Sequence, residues 1–328
     1  MIKLTTPVEV SSEMPTLGYT SQVLLMGSCF ADRLGQKLVL VKLKCDVNPF
    51  GTLYNPLSIA QALQDILTER HYVAQDLLQH QGYWHSLMHH GDFSCRDANE
   101  TLSLINGRIG KAHEELKGLT HLFLTFGSAW VFERHGQVVS NCHKLPAHEF
   151  TRRKLTVEEI VGAYIELLAS LWKVAPQTKV VMTVSPIRHL HDGLHQNQLS
   201  KATLLLAIDR LQELYPDKIH YFPAYELLMD ELRDYRFYAD DLTHPSEVAV
   251  QLVWERFREA FANAKTQQWM DEAERIQQML EHRPLQQESE AYQQFLRQLI
   301  TKIDELQKLC PTMDWSKERE LCSIKLEK

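Results

Sequence analysis

Five short apolar runs alternate with segments of helical periodicity, and this alternation constrains the fold more than any single residue does. The runs are Val23 to Gly27, Leu43 to Val47, His121 to Phe126, Lys179 to Val184 and Lys218 to Phe222. Each is too short for a helix and is apolar on consecutive rather than alternate positions. A strand reads this way when both of its faces are covered, as in a parallel sheet with helices on either side. The segments 29–41, 56–68, 97–117, 155–174 and 197–215 between and after them have helical spacing. The order predicts an α/β protein with a parallel sheet between two helical layers.

A Pro-Ser start at Pro245 and Ser246, followed by Val248, Leu252, Val253, Phe257 and Phe261 on one helical face, predicts a helix that closes this domain. The α/β domain is therefore expected to span 1–264 and a helical extension 265–328. The extension is rich in Gln and Glu, and the last glycine of the chain is Gly193. Within it Tyr292, Phe295, Leu296, Leu299, Ile303 and Leu306 form a narrow stripe. Such a stripe suits a helical hairpin packed on the main domain, or an arm that builds a homodimer. The histidine-rich stretch WHSLMHHGD, 84–92, reads as a loop or short hairpin.

Composition excludes several function classes. A formal charge of -7 without a basic block gives no electrostatic footprint for nucleic acid or an anionic membrane surface. No apolar run approaches the ~20 residues of a membrane span, and the N-terminal stretch lacks the regions of a signal peptide, so a cytoplasmic location is expected. The six cysteines are scattered without a Cys-x-x-Cys pair, which suits reduced thiols. The expected partner is a small molecule.

Several motifs fail on spacing. The glycines around Gly107 are too close for a phosphate loop. Ser170 and Lys173 match Ser-x-x-Lys inside an apolar helical pattern without partner motifs, and no Gly-x-Ser-x-Gly elbow occurs. Two histidine groups, His85, His89 and His90 and then His189, His191 and His195, lack metal-ligand spacing, and no metal site is expected.

Two features carry chemistry. Ser28 follows the first strand and opens the first helix, where its hydroxyl would face the crevice above the sheet and the helix terminus favours negative charge. It suits a nucleophile or a helix N-cap. Downstream, Asp241 and His244 stand three residues apart in a loop before the closing helix. A serine hydroxyl needs a base, and an imidazole works best when a carboxylate fixes its tautomer. The alternative is a helix-start cluster with His244 in solvent.

The blocks GSCFADRLG (27 to 35), NPFGTLYNP (48 to 56), LTFGSAWVFE (124 to 133), NCHKLP (141 to 146), TVSPIRHLHDG (183 to 193) and YFPAYELLMDELRDYRFYADDLTHPS (221 to 246) resemble the GSCFA-domain proteins. These look like a branch of the SGNH/GDSL hydrolase superfamily, and the resemblance runs over about residues 20 to 264. It implies a flavodoxin-like α/β/α sandwich and a serine esterase or deacylase acting on an acyl ester, such as an acetyl ester on a carbohydrate, without a cofactor. Ser28 would be the nucleophile, His244 the base and Asp241 its orienting acid. The N–H groups of Ser28 and Gly51 would form the oxyanion hole. The third block departs from the superfamily's Gly-x-Asn-Asp, because Ala129 stands where the asparagine donor would be. Asn141 or His143 is the expected substitute, and Arg188, His143 and Trp130 are expected to bind substrate. Cys29 is a stronger nucleophile by type, but neighbouring side chains at such a turn diverge, and the resemblance gives Ser28 the site and Cys29 a packing role. Two other activities use the same residues: transfer of the acyl group to an alcohol, and ligand binding on a catalytically weak scaffold.

Overall fold

In a computed structural model of the chain, which describes residues 5–282 and 289–326, the strands in chain order are β1 (Val23–Gly27), β2 (Cys45–Val47), β3 (Leu78–His80), β4 (Tyr83–His85), β5 (His121–Phe126), β6 (Trp130–Arg134), β7 (Gln137–Val139), β8 (Thr151–Lys154), β9 (Lys179–Val184) and β10 (Ile219–Tyr221). The helices are α1 (Cys29–Leu40), α2 (Pro56–Leu67), α3 (Ala98–Leu116), α4 (Val157–Val174), α5 (Leu194–Leu214), α6 (Ala224–Glu226), α7 (Glu247–Phe261), α8 (Ala264–Glu281), α9 (Glu290–Leu309) and α10 (Ser316–Leu326).

All five apolar runs enter one parallel sheet of order β10-β9-β5-β1-β2. Their side chains divide by parity, as the two-residue repeat of a strand requires. Leu24, Met26, Leu122, Leu124, Val180 and Met182 pack with α2, α3, α4 and α5. Val23, Leu25, Phe123 and Val181 pack on the other face with α1, α7, α8 and α9. The chain is an α/β/α sandwich, and its strand order reverses between β1 and β5, which opens a crevice at their carboxyl ends.

The helix starts follow from their caps. Asn55 accepts from Ser58 N–H ahead of Pro56, Thr156 and Glu159 form a reciprocal capping box, and Ser246 and Asn263 cap α7 and α8. One helix begins earlier than its apolar spacing predicts: α5 starts at Leu194, because its first turns bury the polar residues Asn197, Ser200 and Lys201.

Two additions lie outside the five-strand pattern. β3 and β4 form a hairpin that takes up the start of the histidine-rich stretch, and β7-β6-β8 form a small antiparallel sheet between β5 and α4. The strands of the second carry charged residues such as Glu133, Arg134, Arg152 and Arg153, so no continuous apolar run announces them.

The C-terminal helices share the core of the α1 face. Tyr292, Leu296, Leu299, Ile303 and Leu306 are all buried there together with Trp315 and Cys322. The stripe is thus packed within the chain, in a hairpin of α8 and α9. Leu299 is fully buried, so Leu299→Ala should destabilise the protein by about 3 kcal/mol, from lost transfer energy plus the cavity left behind. Urea unfolding of the full chain checks this, and an unchanged midpoint would contradict the packing described.

Candidate active site

The first block shapes the turn at the end of β1. Gly27 has a φ of 143°, and a β-carbon there would lie 2.2 Å from Thr125 O, so only glycine lets the chain pass. Ser28 then caps α1, its Oγ accepting from Phe30 N–H at 3.4 Å. The second block clamps this turn from the side. Asn48 Oδ1 accepts Gly27 N–H at 2.8 Å, while its Nδ2 donates to Asp32 Oδ1 at 2.6 Å, and Thr52 Oγ1 donates to Asp32 Oδ2 at 2.8 Å. Leu53 N–H reaches Gly27 O, and Tyr54 O accepts the N–H groups of both Gly127 and Ser128. Residues 48 to 54 therefore stitch the carboxyl ends of β1 and β5 across the crevice.

Asp241 and His244 meet as their spacing predicts. His244 Nδ1 lies 2.5 Å from Asp241 Oδ2, and Asp241 Oδ1 accepts the N–H groups of Thr243 and His244, each at 2.9 Å. Those N–H groups and the ring hold the Asp241 carboxyl well below the usual carboxylate range. With Nδ1 facing the carboxylate, Nε2 is the nitrogen left to act on another group. The loop is half-exposed and pinned from below by Arg188, whose Nη2 donates to Leu242 O, whose N–H reaches Thr243 O at 3.3 Å, and whose guanidinium covers the Tyr238 ring at 4.2 Å. Ser28 and His244 are not hydrogen-bonded to one another here.

His189 lies between the two parts. Its ring is edge-on to Tyr54 at 6.1 Å, and its N–H donates to Asn197 Oδ1 at 3.0 Å. Burial, then the Lys201 charge, lowers its pKa to about 4, with His244 close enough to add to the effect and the Gly127 backbone opposing it. Lys201 and Ser200 hold the third block: Lys201 Nζ donates to Gly127 O at 2.7 Å, and Ser200 Oγ accepts Ala129 N–H at 2.8 Å. Sequence patterning passed over Asn197, Ser200 and Lys201. The signal that could have found them is a helix whose early inward positions are polar.

The expected oxyanion donors are differently engaged. Ser28 N–H continues the β1–β5 ladder to Thr125 O at 3.1 Å, and Gly51 N–H closes a turn onto Asn48 O at 2.8 Å. Gly51 has a φ of 76°, and a β-carbon on it would lie 2.2 Å from His90 Cβ, so both the backbone and the space there call for glycine. Asn141 turns inward on its own loop, where its Oδ1 accepts His143 N–H at 2.9 Å and its N–H donates to Leu87 O. His143 stacks on His85 at 4.4 Å and bonds Ser86 O. No hydrogen bond of either residue reaches the Ser28 turn. Trp130 opens β6 with its ring beneath the Arg152 guanidinium at 4.4 Å. Arg188, expected to hold substrate, is occupied by the Asp241–His244 loop.

Burial and the neighbouring Asp32 push the Cys29 thiol up, which keeps it protonated beside Ser28. A cavity of about 740 Å³, lined by Tyr72, Met88, Arg70, Arg134 and Glu166 among others, opens elsewhere and shares no lining residue with the crevice. Among the described residues no set of three or more His, Cys, Asp or Glu side chains is arranged to hold a metal, and no helix is long and apolar enough to cross a membrane.

Residues 22–257 match the model of the GSCFA family, and residues 273–328 match that of the GSCFA domain protein, C-terminal domain. No curated protein matches the chain. Among solved structures, a carbohydrate esterase family 3 protein from Talaromyces cellulolyticus is 9% identical, with 76% of this chain and 98% of that one covered and a TM-score of 0.36. A carbohydrate esterase family 2 enzyme with a carbohydrate binding domain, from Corynascus thermopiles (Myceliophthora fergusii), is 11% identical, with 75% and 67% covered and a TM-score of 0.40. An acetyl xylan esterase from the rumen bacterium Butyrivibrio proteoclasticus is 11% identical, with 74% and 64% covered and a TM-score of 0.36.

The histidine-rich loop beside Gly51 has its own pH signature. His89 is buried, stacked on Phe50 at 4.2 Å, with Nδ1 on Ser86 Oγ at 2.9 Å and a buried Nε2 that has no hydrogen-bond partner. Burial lowers its pKa from 6.5 to about 3, so between those values the unfolded chain binds the extra proton and stability falls as pH falls. The slope from this one group is at most ~1.4 kcal/mol per pH unit. His89→Asn should lose stability less steeply than the parent as pH drops through that window. Chemical denaturation at several pH values checks it, and parallel slopes would refute the assignment.

Proposed function

The chain belongs to the GSCFA family, and from the geometry of its crevice we propose that it is a serine esterase or deacylase of the SGNH type. The observation that carries this reading is the Asp241–His244 pair at 2.5 Å, in a loop pinned by Arg188 after β9, at the same carboxyl-end side of the parallel sheet as Ser28 after β1. In this reaction Ser28 Oγ attacks the ester carbonyl while His244 Nε2 takes its proton. Asp241 holds the imidazole in the tautomer that leaves Nε2 free and stabilises the imidazolium that forms. The protonated His244 gives its proton to the departing alcohol as the carbonyl–oxygen bond breaks. A water, deprotonated by the same nitrogen, then attacks the acyl-Ser28 ester, and the acid leaves as Ser28 recovers its proton. The substrate is an ester of a small molecule or a glycan, and these steps need no cofactor.

One observation favours a different reading, ligand binding without turnover: the N–H groups of Ser28 and Gly51 are both committed to main-chain carbonyls, and Ala129 supplies no side-chain donor. Loss of one direct donor typically lowers rate by about a hundredfold to a thousandfold. A fluorophosphonate probe separates the two, because it reports an activated serine without requiring the substrate. The adduct should map to Ser28 by mass spectrometry and vanish in Ser28→Ala. His244→Ala and Asp241→Asn should each slow labelling by about a thousandfold or more. Folded protein that takes up no probe would favour the binding reading.

A further inference from the structure

The crevice holds a cation that the proposed reaction does not employ. The Lys201 side chain is buried along its whole length, and lysine is among the residues least often found so unless it is paired. Its ammonium donates to Gly127 O at 2.7 Å and to Ser185 O at 2.6 Å, the residues just beyond β5 and β9. One side chain from α5 thus ties together the carboxyl ends of two neighbouring central strands. The groups that face it from other elements are the Cys29 thiol of α1, the His189 ring after β9 and the Tyr225 ring of α6, 5.9 Å away. None is a carboxylate. A buried ammonium without a counter-ion is unfavourable, and a neutral donor could satisfy the same two carbonyls, so backbone pairing alone does not account for the charge.

The position supplies one. Gly127 backs directly onto the nucleophile turn: a β-carbon placed on it would sit 3.4 Å from Ser28 Cβ and 3.1 Å from Tyr54 O. The same turn carries Ala129, which has no donor to offer an oxyanion. We propose that Lys201 is a positioning residue of this site, whose charge, set behind the Gly127 turn, supplies the positive potential for the oxyanion that the third block does not. The inference rests on the esterase reading above. In a water-poor crevice a fixed charge acts over a longer range than it would in solvent, and no reorganisation is needed as the reaction proceeds.

Burial brings the Lys201 ammonium down from 10.5 to about 7, with the Cys29 side chain acting in the opposite direction. Burial and Lys201 itself keep the His189 ring neutral at that pH. The positive potential is therefore present below about pH 7 and fades as the pH rises through it.

The test is the second-order rate of fluorophosphonate labelling between about pH 5 and about pH 9, for the parent, Lys201→Met and Ser200→Ala. The ratio of the parent rate to the Lys201→Met rate should be about tenfold at low pH, less than the loss of a donor in direct contact, and should shrink as pH rises past about 7, where Lys201 loses its proton; the need for a neutral His244 acts on both proteins alike and leaves the ratio unchanged. Ser200→Ala removes the bond to Ala129 on the same turn without changing charge, so its ratio to the parent should not vary with pH. A parent-to-Lys201→Met ratio that stays constant across the range would overturn the proposal. If circular dichroism shows that Lys201→Met does not fold, Lys201→Gln, which keeps a donor for the two carbonyls and removes the charge, is read in the same way. A parent labelled at Ser28 with a constant ratio sinks this inference alone, whereas a parent that is never labelled sinks the esterase reading with it.

Discussion

The close passage of the chain at Gly27 past Thr125 is the constraint on which the rest of the crevice depends. With 2.2 Å between the position of a β-carbon and a carbonyl oxygen, any side chain at 27 would force β1 and β5 apart. Because glycine stands there, β1 can leave the sheet within one residue, and Ser28 does two things at once. Its N–H extends the ladder to Thr125, and its side chain caps α1. The helix consequently begins at the sheet edge with its positive end over the crevice. The N–H of Gly27, freed by the sharp exit, is taken by Asn48, which fixes the loop whose Tyr54 carbonyl gathers the Gly127 and Ser128 amides.

The opposite wall meets a similar need by other means. Strands that stop at a crevice leave main-chain groups without ladder partners, and those groups must be satisfied when buried. Here α5 does this with side chains: Asn197 accepts from His189 N–H, Ser200 accepts from Ala129 N–H, and Lys201 donates to the Gly127 and Ser185 carbonyls. The first turns of α5 are therefore polar on their buried side, and its apolar contacts begin at Leu204 and continue through Ala207, Ile208 and Leu211. A lysine in this position serves the backbone and charges the site together.

This division explains what the sequence discloses. The five sheet strands are legible because burial on both faces demands unbroken apolar runs, and Asp241 with His244 is legible because their contact is local. The small sheet β7-β6-β8 is not, since its half-exposed strands mix Trp130 and Phe132 with arginines and glutamate. The commitment of the Ser28 and Gly51 amides to carbonyls is hidden too, because it depends on how far the ladder runs and how residues 48 to 51 turn. The tail stripe is legible as a buried face, but whether it meets this chain or another is decided by the partner surface, which no helical period encodes.

The proposed nucleophile and the proposed base are held by different kinds of contact. Ser28 is only 1% exposed, its N–H is held by Thr125 O of β5 and its carbonyl by Ala31 N–H of α1, and the loop at 48 to 53 holds the preceding Gly27. The Asp241–His244 pair is half-exposed, and its internal bonds span only two or three residues, so the pair would form wherever that loop lay. A bridge between Tyr238 and Pro245 closes the loop, and the bond from Ala239 N–H to His244 O stiffens it without aiming it. The aim comes from Arg188, which grips the Leu242 and Thr243 carbonyls from the strand side and lies over Tyr238. Its neighbour His189 is tied to Asn197 of α5 and lies against Gly127. The chain from α5 through residues 188 and 189 to the loop is thus the mechanical link between the buried Ser28 turn and the exposed imidazole. A fault anywhere along it would leave both motifs intact and the site unassembled.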